Sequence, residues 1–279
     1  MMMIDFHTHI YPDPIAGSTL EKLAGNYDLK PYTNATASGL RASMEEAGIQ
    51  ISVVLPVITR VGQVQSINRF AREITPQTFD HSVGQILSFG AVHPLSEHYK
   101  EELQMVKELG LKGIKLHPEY QQLYIDDIPM LRLISYAVEL GLVIVIHSGS
   151  ESDREQKLHC LPRMARRMLH EVQPEKLVLA HLGGFREWEE TMEYLAGENV
   201  WLDTGFIAGH MPADQVEMLI RAHGAQRILM ASDSPWNGQK DTVDFINSLS
   251  LTGEEKQMIF SENALRLLDL TIDDVDRKL

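Results

Sequence analysis

Eight short apolar runs alternate with amphipathic stretches along this chain of 279 residues, and this alternation restricts its fold more than any other feature. Most runs are continuous in Val, Ile and Leu, which is typical of parallel strands buried on both faces. They cover 3–9, 51–57, 86–93, 113–117, 142–147, 177–181, 200–204 and 228–233. The intervening stretches have helical spacing and cover 40–47, 64–74, 99–109, 130–140, 158–172, 188–195, 213–223 and 241–249.

This repetition predicts an α/β fold, a closed (β/α)8 TIM barrel built as one domain over 1–279. The alternative is an open doubly wound sheet, but that fold usually carries a Gly-rich phosphate loop after its first strand, and none is found here. The least regular stretch, 11–38, predicts a long loop after strand one that could cover the barrel mouth. A further helix is expected over 253–268.

The composition restricts the partners. A net charge of −14 argues against nucleic acid and anionic membrane surfaces, whereas a small-molecule substrate remains compatible with it. No apolar run approaches the roughly 20 residues that a membrane-spanning helix needs. Cys160 is the one cysteine, so no internal disulfide can form. With no evident signal peptide, we expect a cytoplasmic protein, and a homodimer is compatible with such a barrel.

Polar residues occur at nearly every strand end. In His7-Thr8-His9 the period of a strand places both imidazoles on the same face. The carboxyl ends of barrel strands form the active-site face, so the other end residues should converge there. In chain order these are Arg60, His93, Lys115, His117, His147, His181, Asp203 or Thr204, and Asp233. Such a set would be unfavourable to bury unless it were paired or bound a metal.

The ligand types narrow the chemistry of this predicted metal site. Imidazole nitrogens with a carboxylate suit Zn, Mn, Fe or Ni rather than Ca or Mg. Three histidines and one aspartate with an open position are typical of a catalytic site, where the metal lowers the pKa of a bound water. Asp233 is the natural acceptor for the proton of that water.

The motifs resemble the amidohydrolase superfamily, in particular the branch often called amidohydrolase family two. The resemblance covers essentially the whole chain. It rests on His7-Thr8-His9, Gly113-Ile114-Lys115-Leu116-His117-Pro118, His147, His181, Ala231-Ser232-Asp233-Ser234-Pro235, and the closing stretch from Leu251-Thr252-Gly253-Glu254-Glu255 to Asn263-Ala264-Leu265-Arg266-Leu267-Leu268.

The resemblance implies a role for each matching residue. His7, His9 and His147 would bind a divalent metal, with zinc favoured. Asp233 would bind the metal and act as general base. His181 would bind a second metal, or hold the attacking water or the substrate. Lys115 would either carry a carbamate that bridges two metals, or remain a cation for a substrate carboxylate or a neighbouring acid, so one or two metals per chain are expected.

The remaining candidates are substrate contacts, and each has a structural alternative. His117, Arg60, Tyr120 and Trp236 follow strand ends and could line the pocket. Weaker candidates are Glu119, Glu151, Arg154 and His210. His93 precedes Pro94 and fits a turn, and Cys160 beside His159 fits a buried apolar role better than a nucleophilic one.

These features predict a metal-dependent hydrolase in which a metal-activated water attacks an amide, a lactone or a related ester of a small molecule. A non-oxidative decarboxylase of a small aromatic or unsaturated acid is the alternative within enzymes. A barrel that keeps its metal only to bind a ligand is the non-catalytic alternative.

Overall fold

A computed structural model describes residues 2–27, 29–77, 79, 82–150 and 157–270 of the chain. These residues form two compact units, one drawn from 1–54, 73–87 and 204–279 and the other from 55–72 and 88–203. Their eight strands are β1 (Ile4–Thr8), β2 (Ile51–Val54), β3 (Gln85–Ser88), β4 (Gly113–Leu116), β5 (Val143–Ile146), β6 (Leu177–Leu179), β7 (Trp201–Asp203) and β8 (Ile228–Leu229).

The first unit is built around parallel pairing of β1 and β2, in which Ile4 lies opposite Ile51 and Asp5 opposite Ser52. β3 follows β2 in the same sheet. Beyond β8 the chain continues along β1, because the Phe6 N–H donates to the Met230 carbonyl over 2.9 Å. Every residue of β1 is buried, so this unit carries polar residues in a completely covered strand.

The second unit contains four successive parallel strands, β4 to β7. Gly113 lies opposite Val143 in the β4–β5 pair, and Val178 opposite Trp201 in the β6–β7 pair. All residues of these strands are buried, as continuous apolar runs predict. Gly113 approaches its neighbours closely, since a Cβ there would lie 2.3 Å from the Val143 carbonyl oxygen.

All eight predicted strands are present, but they are shorter than the apolar runs. β4, β5 and β6 each end just before the polar residues that close the runs, so His117 and His147 follow their strands directly. Most candidate residues therefore lie just past the hydrogen-bonded ladder, at the carboxyl ends of the strands, whereas His7 lies within β1 and Lys115 within β4.

The helices are α1 (Asp13–Tyr27), α2 (Ala37–Ala47), α3 (Val64–Ile74), α4 (Tyr99–Glu108), α5 (Pro118–Gln121), α6 (Ile128–Glu139), α7 (Pro162–Val172), α8 (Trp188–Tyr194), α9 (Ala213–His223), α10 (Gln239–Ser248), α11 (Gly253–Gln257) and α12 (Asn263–Leu267). A π-helical turn, Met258–Glu262, joins the last two, so the predicted closing helix is continuous but locally widened. None of these helices is long and apolar enough to cross a membrane.

The predicted long loop after strand one is wrong, because α1 occupies much of it. Pro12, Pro14 and Gly17 gave this stretch the composition of a loop, although Pro is well tolerated in the first turn of a helix. Ala16 is the one described residue of α1 that is fully buried, so no apolar stripe marks the helix in the sequence.

The predicted start of α7 is also wrong, by four residues. α7 begins at Pro162, whose ring fixes φ for the first helical position and disfavours helix at the residue before it. Residues 157–161 consequently stay outside the helix, which leaves His159 able to bond elsewhere.

A buried side chain holds the segment after β3 in place. The Asn68 amide of α3 donates to the Ala91 carbonyl over 3.0 Å and accepts the Ala91 N–H over 2.8 Å. We expect Asn68→Ala to lower the free energy of unfolding by about 2–4 kcal/mol, because it leaves two buried backbone groups without partners. Urea denaturation measures this, with the exposed Gln65→Ala as control; equal stability of the two variants would contradict it.

Candidate functional site

Two histidines and one aspartate converge in the first unit. The His7 and His9 Nε2 atoms are 3.1 Å apart. The Asp233 Oδ1 atom lies 3.3 Å from the first and 3.1 Å from the second. His7 belongs to β1 and His9 follows it, so the period of the strand places both rings on one side, as predicted.

These three separations fit a single metal ion. Ligand atoms about 2.1 Å from a metal lie about 3.0 Å apart at right angles and about 3.4 Å apart in a tetrahedron. The observed values of 3.1–3.3 Å fall between these limits. Two imidazole nitrogens and a carboxylate oxygen are also a donor set typical of zinc and neighbouring transition metals.

Backbone hydrogen bonds fix the position of Asp233. Its N–H donates to the His7 carbonyl over 2.8 Å, and the His9 N–H donates to the Ser234 carbonyl over 2.6 Å. Asp233 has φ 67°, a left-handed conformation that aspartate tolerates better than most residues. This turn presents the carboxylate to the two histidines.

Asp5 supports this arrangement through buried hydrogen bonds, and it was not among the site residues predicted from the sequence. Its buried carboxylate accepts the Ser232 N–H over 2.9 Å, the Ser232 hydroxyl over 2.5 Å and the Gln239 amide over 2.7 Å. Burial raises the pKa of Asp5 to about 6, although these hydrogen bonds lower it. A charged residue inside an apolar strand, two positions before His7, was the available signal.

Tyr11 is a second residue of this unit that the sequence did not single out. Burial, and then the charge of Asp233, raise the pKa of the Tyr11 hydroxyl well above its usual range. Its hydroxyl therefore stays protonated and can donate a hydrogen bond. Trp236 is partly buried, and its backbone N–H donates to the Asp233 carbonyl over 2.9 Å.

The second unit brings together four more predicted residues. His147 Nδ1 and His181 Nε2 are 3.1 Å apart. The His117 ring stacks on the His147 ring, with centroids 4.3 Å apart. The Tyr120 ring in turn stacks on the His117 ring, with centroids 4.1 Å apart. These four side chains form a histidine stack at the carboxyl ends of β4, β5 and β6.

His181 is held in an uncommon conformation. Both His181 and Leu182 have positive φ, of 59° and 54°. The His181 N–H donates to Asp203 Oδ1 over 3.0 Å, so the carboxylate at the end of β7 anchors the start of this turn. Strained backbone of this kind is common at functional sites, where the surrounding structure holds it.

Lys115 is almost completely buried, with 1% of its surface exposed. It lies on β4 opposite Val145. Burial raises the pKa of the nearby Cys160 thiol, and the charge of Lys115 opposes that rise only in part. A buried amine of this kind is compatible with both roles that the resemblance implies, so the carbamate on Lys115 stays a prediction.

The other candidates are more scattered. Arg60 is exposed and precedes a short 3-10 turn, Val61–Gln63. His93 forms the predicted turn, in which its Nδ1 accepts the Leu95 N–H over 3.2 Å. His210 is exposed and stacks on Phe206. Glu151 and Arg154 lie outside the described residues.

Glu119, a weak candidate in the sequence, makes two short bonds to His159. Its Oε1 accepts the His159 N–H over 2.6 Å, and its Oε2 lies 2.5 Å from His159 Nδ1.

Cys160, the residue after His159, is fully buried, with its Sγ 3.4 Å from the Ser148 hydroxyl. Burial raises the pKa of the Cys160 thiol to about 12, which agrees with a structural rather than a nucleophilic role.

The sequence matches the Amidohydro_2 family model, described as Amidohydrolase, over residues 4–270. The chain belongs to the amidohydrolase family. No curated protein matches it. The predicted superfamily and branch are thereby confirmed, and the chain is an enzyme. Its structural neighbours include a decarboxylase and a probable hydrolase.

Solved structures share the fold at low sequence identity. An uncharacterised TIM-barrel protein from Bordetella bronchiseptica is 15% identical, with a TM-score of 0.72, and the match covers 96% of this chain and 99% of that one. The predicted (β/α)8 TIM-barrel fold is therefore confirmed.

Two further structural neighbours have named reactions. A 5-carboxyvanillate decarboxylase from Novosphingobium aromaticivorans, complexed with manganese and 4-hydroxy-3-methoxy-5-nitrobenzoic acid, is 16% identical with a TM-score of 0.71, covering 96% of each chain. A probable 2-pyrone-4,6-dicarboxylic acid hydrolase from Acinetobacter baumannii, with citric acid bound, is 13% identical with a TM-score of 0.66, covering 97% of this chain and 100% of that one.

The single thiol gives a direct test of burial. Because burial raises the pKa of Cys160 to about 12, little thiolate is present near neutral pH, so a disulfide reagent should label the folded protein far more slowly than an exposed thiol. The same protein in denaturant serves as the control and should react at the ordinary rate. Comparable rates in the two conditions would contradict the assignment.

The metal cluster is tested by removing one ligand. We expect His9→Ala to lower metal affinity by more than the roughly 10- to 100-fold that loss of a supporting residue costs, because it removes a ligand itself. Elemental mass spectrometry of protein dialysed against defined metal concentrations measures the loss. The exposed His210→Ala is the matched control, and equal metal content in both variants would rule out His9 as a ligand.

Proposed function

We propose that this amidohydrolase is a metal-dependent hydrolase that cleaves an amide, a lactone or a related ester of a small molecule. The observation that carries the proposal is the convergence of His7, His9 and Asp233, with ligand atoms 3.1–3.3 Å apart. Hydrolysis needs a polarised carbonyl and a base beside the water. A metal held by these residues would polarise the carbonyl, and Asp233 would be the base.

We assign the metal, with zinc favoured, to His7, His9 and Asp233, and keep His147 as the further ligand that the family resemblance implies. When bound, the metal supplies Lewis-acid polarisation of a carbonyl oxygen and a lowered pKa for water. Manganese in a neighbour of the same fold makes it the first competitor of zinc.

Asp233 acts as the general base in this proposal. It takes the proton of the attacking water and returns it to the leaving group. The hydrogen bond from its N–H to the His7 carbonyl fixes the carboxylate, so little motion is needed during the transfer.

His181 and Lys115 complete the proposed catalytic set. His181 either binds a second metal or orients the water or the substrate, and its N–H bond to Asp203 fixes the turn that carries it. Two metals per chain would require a bridging carbamate on Lys115. The aromatic stack of His117 and Tyr120, together with Trp236 and Arg60, is proposed to bind the substrate.

Decarboxylation of a small aromatic or unsaturated acid is the second candidate function. The observation that favours it is the decarboxylase among the neighbours, crystallised with manganese and a nitrobenzoic acid. In that reaction Asp233 or a histidine would move the proton that replaces the carboxyl group.

One variant and two substrate panels decide between these functions. We expect Asp233→Asn to lower kcat by about 100- to 10,000-fold while keeping part of its metal, because the amide can still contact a metal but cannot accept a proton. The wild-type protein is assayed against amides and lactones, and separately for CO₂ release from aromatic and unsaturated acids.

The exposed Asp244→Asn, whose partner is Lys240, is the matched control and should keep full activity. Release of CO₂ without turnover of amides or lactones would replace the hydrolase by the decarboxylase. Turnover in neither panel by metal-loaded protein would indicate a binding protein.

A further inference from the structure

The second unit holds a carboxylate–imidazole pair that the proposed mechanism does not use. Both oxygens of Glu119 bind His159, one at the backbone N–H over 2.6 Å and one at ring Nδ1 over 2.5 Å. The Glu119 side chain is 7% exposed and that of His159 12% exposed. Short, charge-assisted bonds of this kind are strong and directional.

The two residues of the pair lie in segments that follow two neighbouring strands. Glu119 is on α5, which follows β4 directly, and His159 is in the segment between β5 and α7. The carboxyl ends of strands carry the chemistry of a TIM barrel. Tyr120, the neighbour of Glu119, stacks on His117 of the histidine stack, so one short helix carries residues of both groups.

The carboxylate sets the tautomer of the ring. Because ionised Glu119 can only accept hydrogen bonds, Nδ1 of His159 carries the hydrogen. In the neutral ring, Nε2 is then the nitrogen that carries the lone pair. An imidazole arranged in this way accepts a hydrogen bond, or a proton, at Nε2.

The ring is immobilised while Nε2 stays available. The His159 carbonyl accepts the Ile125 N–H over 2.9 Å, and the Tyr124 ring lies 4.9 Å from the imidazole. Across the described part of the chain no group hydrogen-bonds to Nε2. If the pair served only to hold this segment in place, the backbone hydrogen bonds of His159 would be enough. The contact between Glu119 and the imidazole ring therefore needs a further explanation.

We propose that Glu119 and His159 form a proton-accepting subsite for a hydroxyl group of a small-molecule ligand, of the phenol or enol type. The ligand O–H bond breaks, an Nε2–H bond forms, and the electron pair stays on the ligand oxygen. The Glu119 carboxylate offsets the charge of the imidazolium. Participation of the pair in turnover rests on the proposed function, whereas binding of the hydroxyl does not.

Two variants separate this role from a clamp. His159→Asn keeps an N–H near the position of Nδ1, and so keeps the bonds to Glu119, but removes Nε2. Glu119→Gln keeps an oxygen for the His159 N–H, but its amide donates to Nδ1 and moves the ring hydrogen to Nε2. Both variants should fold and retain the metal content of the wild type.

The probes are 4-nitrophenol and 4-nitroanisole, in which a methyl group replaces the hydroxyl hydrogen. Metal-loaded wild-type protein should bind the phenol about 10- to 100-fold more tightly, and bound phenol should show the visible absorption of the phenolate. Calorimetry and absorption spectroscopy measure the two effects. His159→Asn and Glu119→Gln should abolish both.

The exposed pair of His170 and Glu198, in the same unit, supplies matched controls, His170→Asn and Glu198→Gln, which should behave as wild type. Equal binding of the two probes by wild type, or a preference that survives in His159→Asn, overturns the subsite. Failure of the proposed hydrolase appears elsewhere, as absent metal or absent turnover, and leaves this result readable.

Discussion

The pairing of β1 with the segment after β8 is the constraint on which the candidate metal centre depends. Backbone bonds join Phe6 to Met230, Asp233 to His7 and His9 to Ser234, and Asp5 binds Ser232 from the buried side. A shift of one residue in this pairing would move Asp233 away from both imidazoles. The burial of Asp5, unfavourable by itself, is offset in part by its hydrogen bonds, and these bonds fix this register.

The polar residues past the strand ends follow a common plan in both units. Each lies where the ladder stops, so its side chain is placed by a buried strand while its backbone can adopt another conformation. Asp233 and His181 use this freedom and have positive φ. Their neighbours hold them there through N–H bonds, to the His7 carbonyl and to the Asp203 carboxylate. Rigid strands thus position conformationally demanding residues.

Most elements could be predicted from the sequence because their regularly spaced apolar residues are the ones that become buried. α3 and α9 begin and end where the spacing indicates, since each buries one stripe. α1 was missed because it is mostly exposed and rich in Gly and Pro. The predicted start of α7 was too early because the apolar spacing also continues on the N-terminal side of Pro162. That error placed His159 inside a helix and concealed its contact with Glu119.

By itself, the sequence determined the fold class, the family, and the types and chain order of the candidate ligands, because strand periodicity is local. His7 and His9 share a face whatever the rest of the chain does. Tertiary structure decided which atoms meet. Asp233 reaches His7, and Glu119 binds His159, through long-range backbone pairing and burial. No local pattern encodes such contacts, because they depend on how distant segments align.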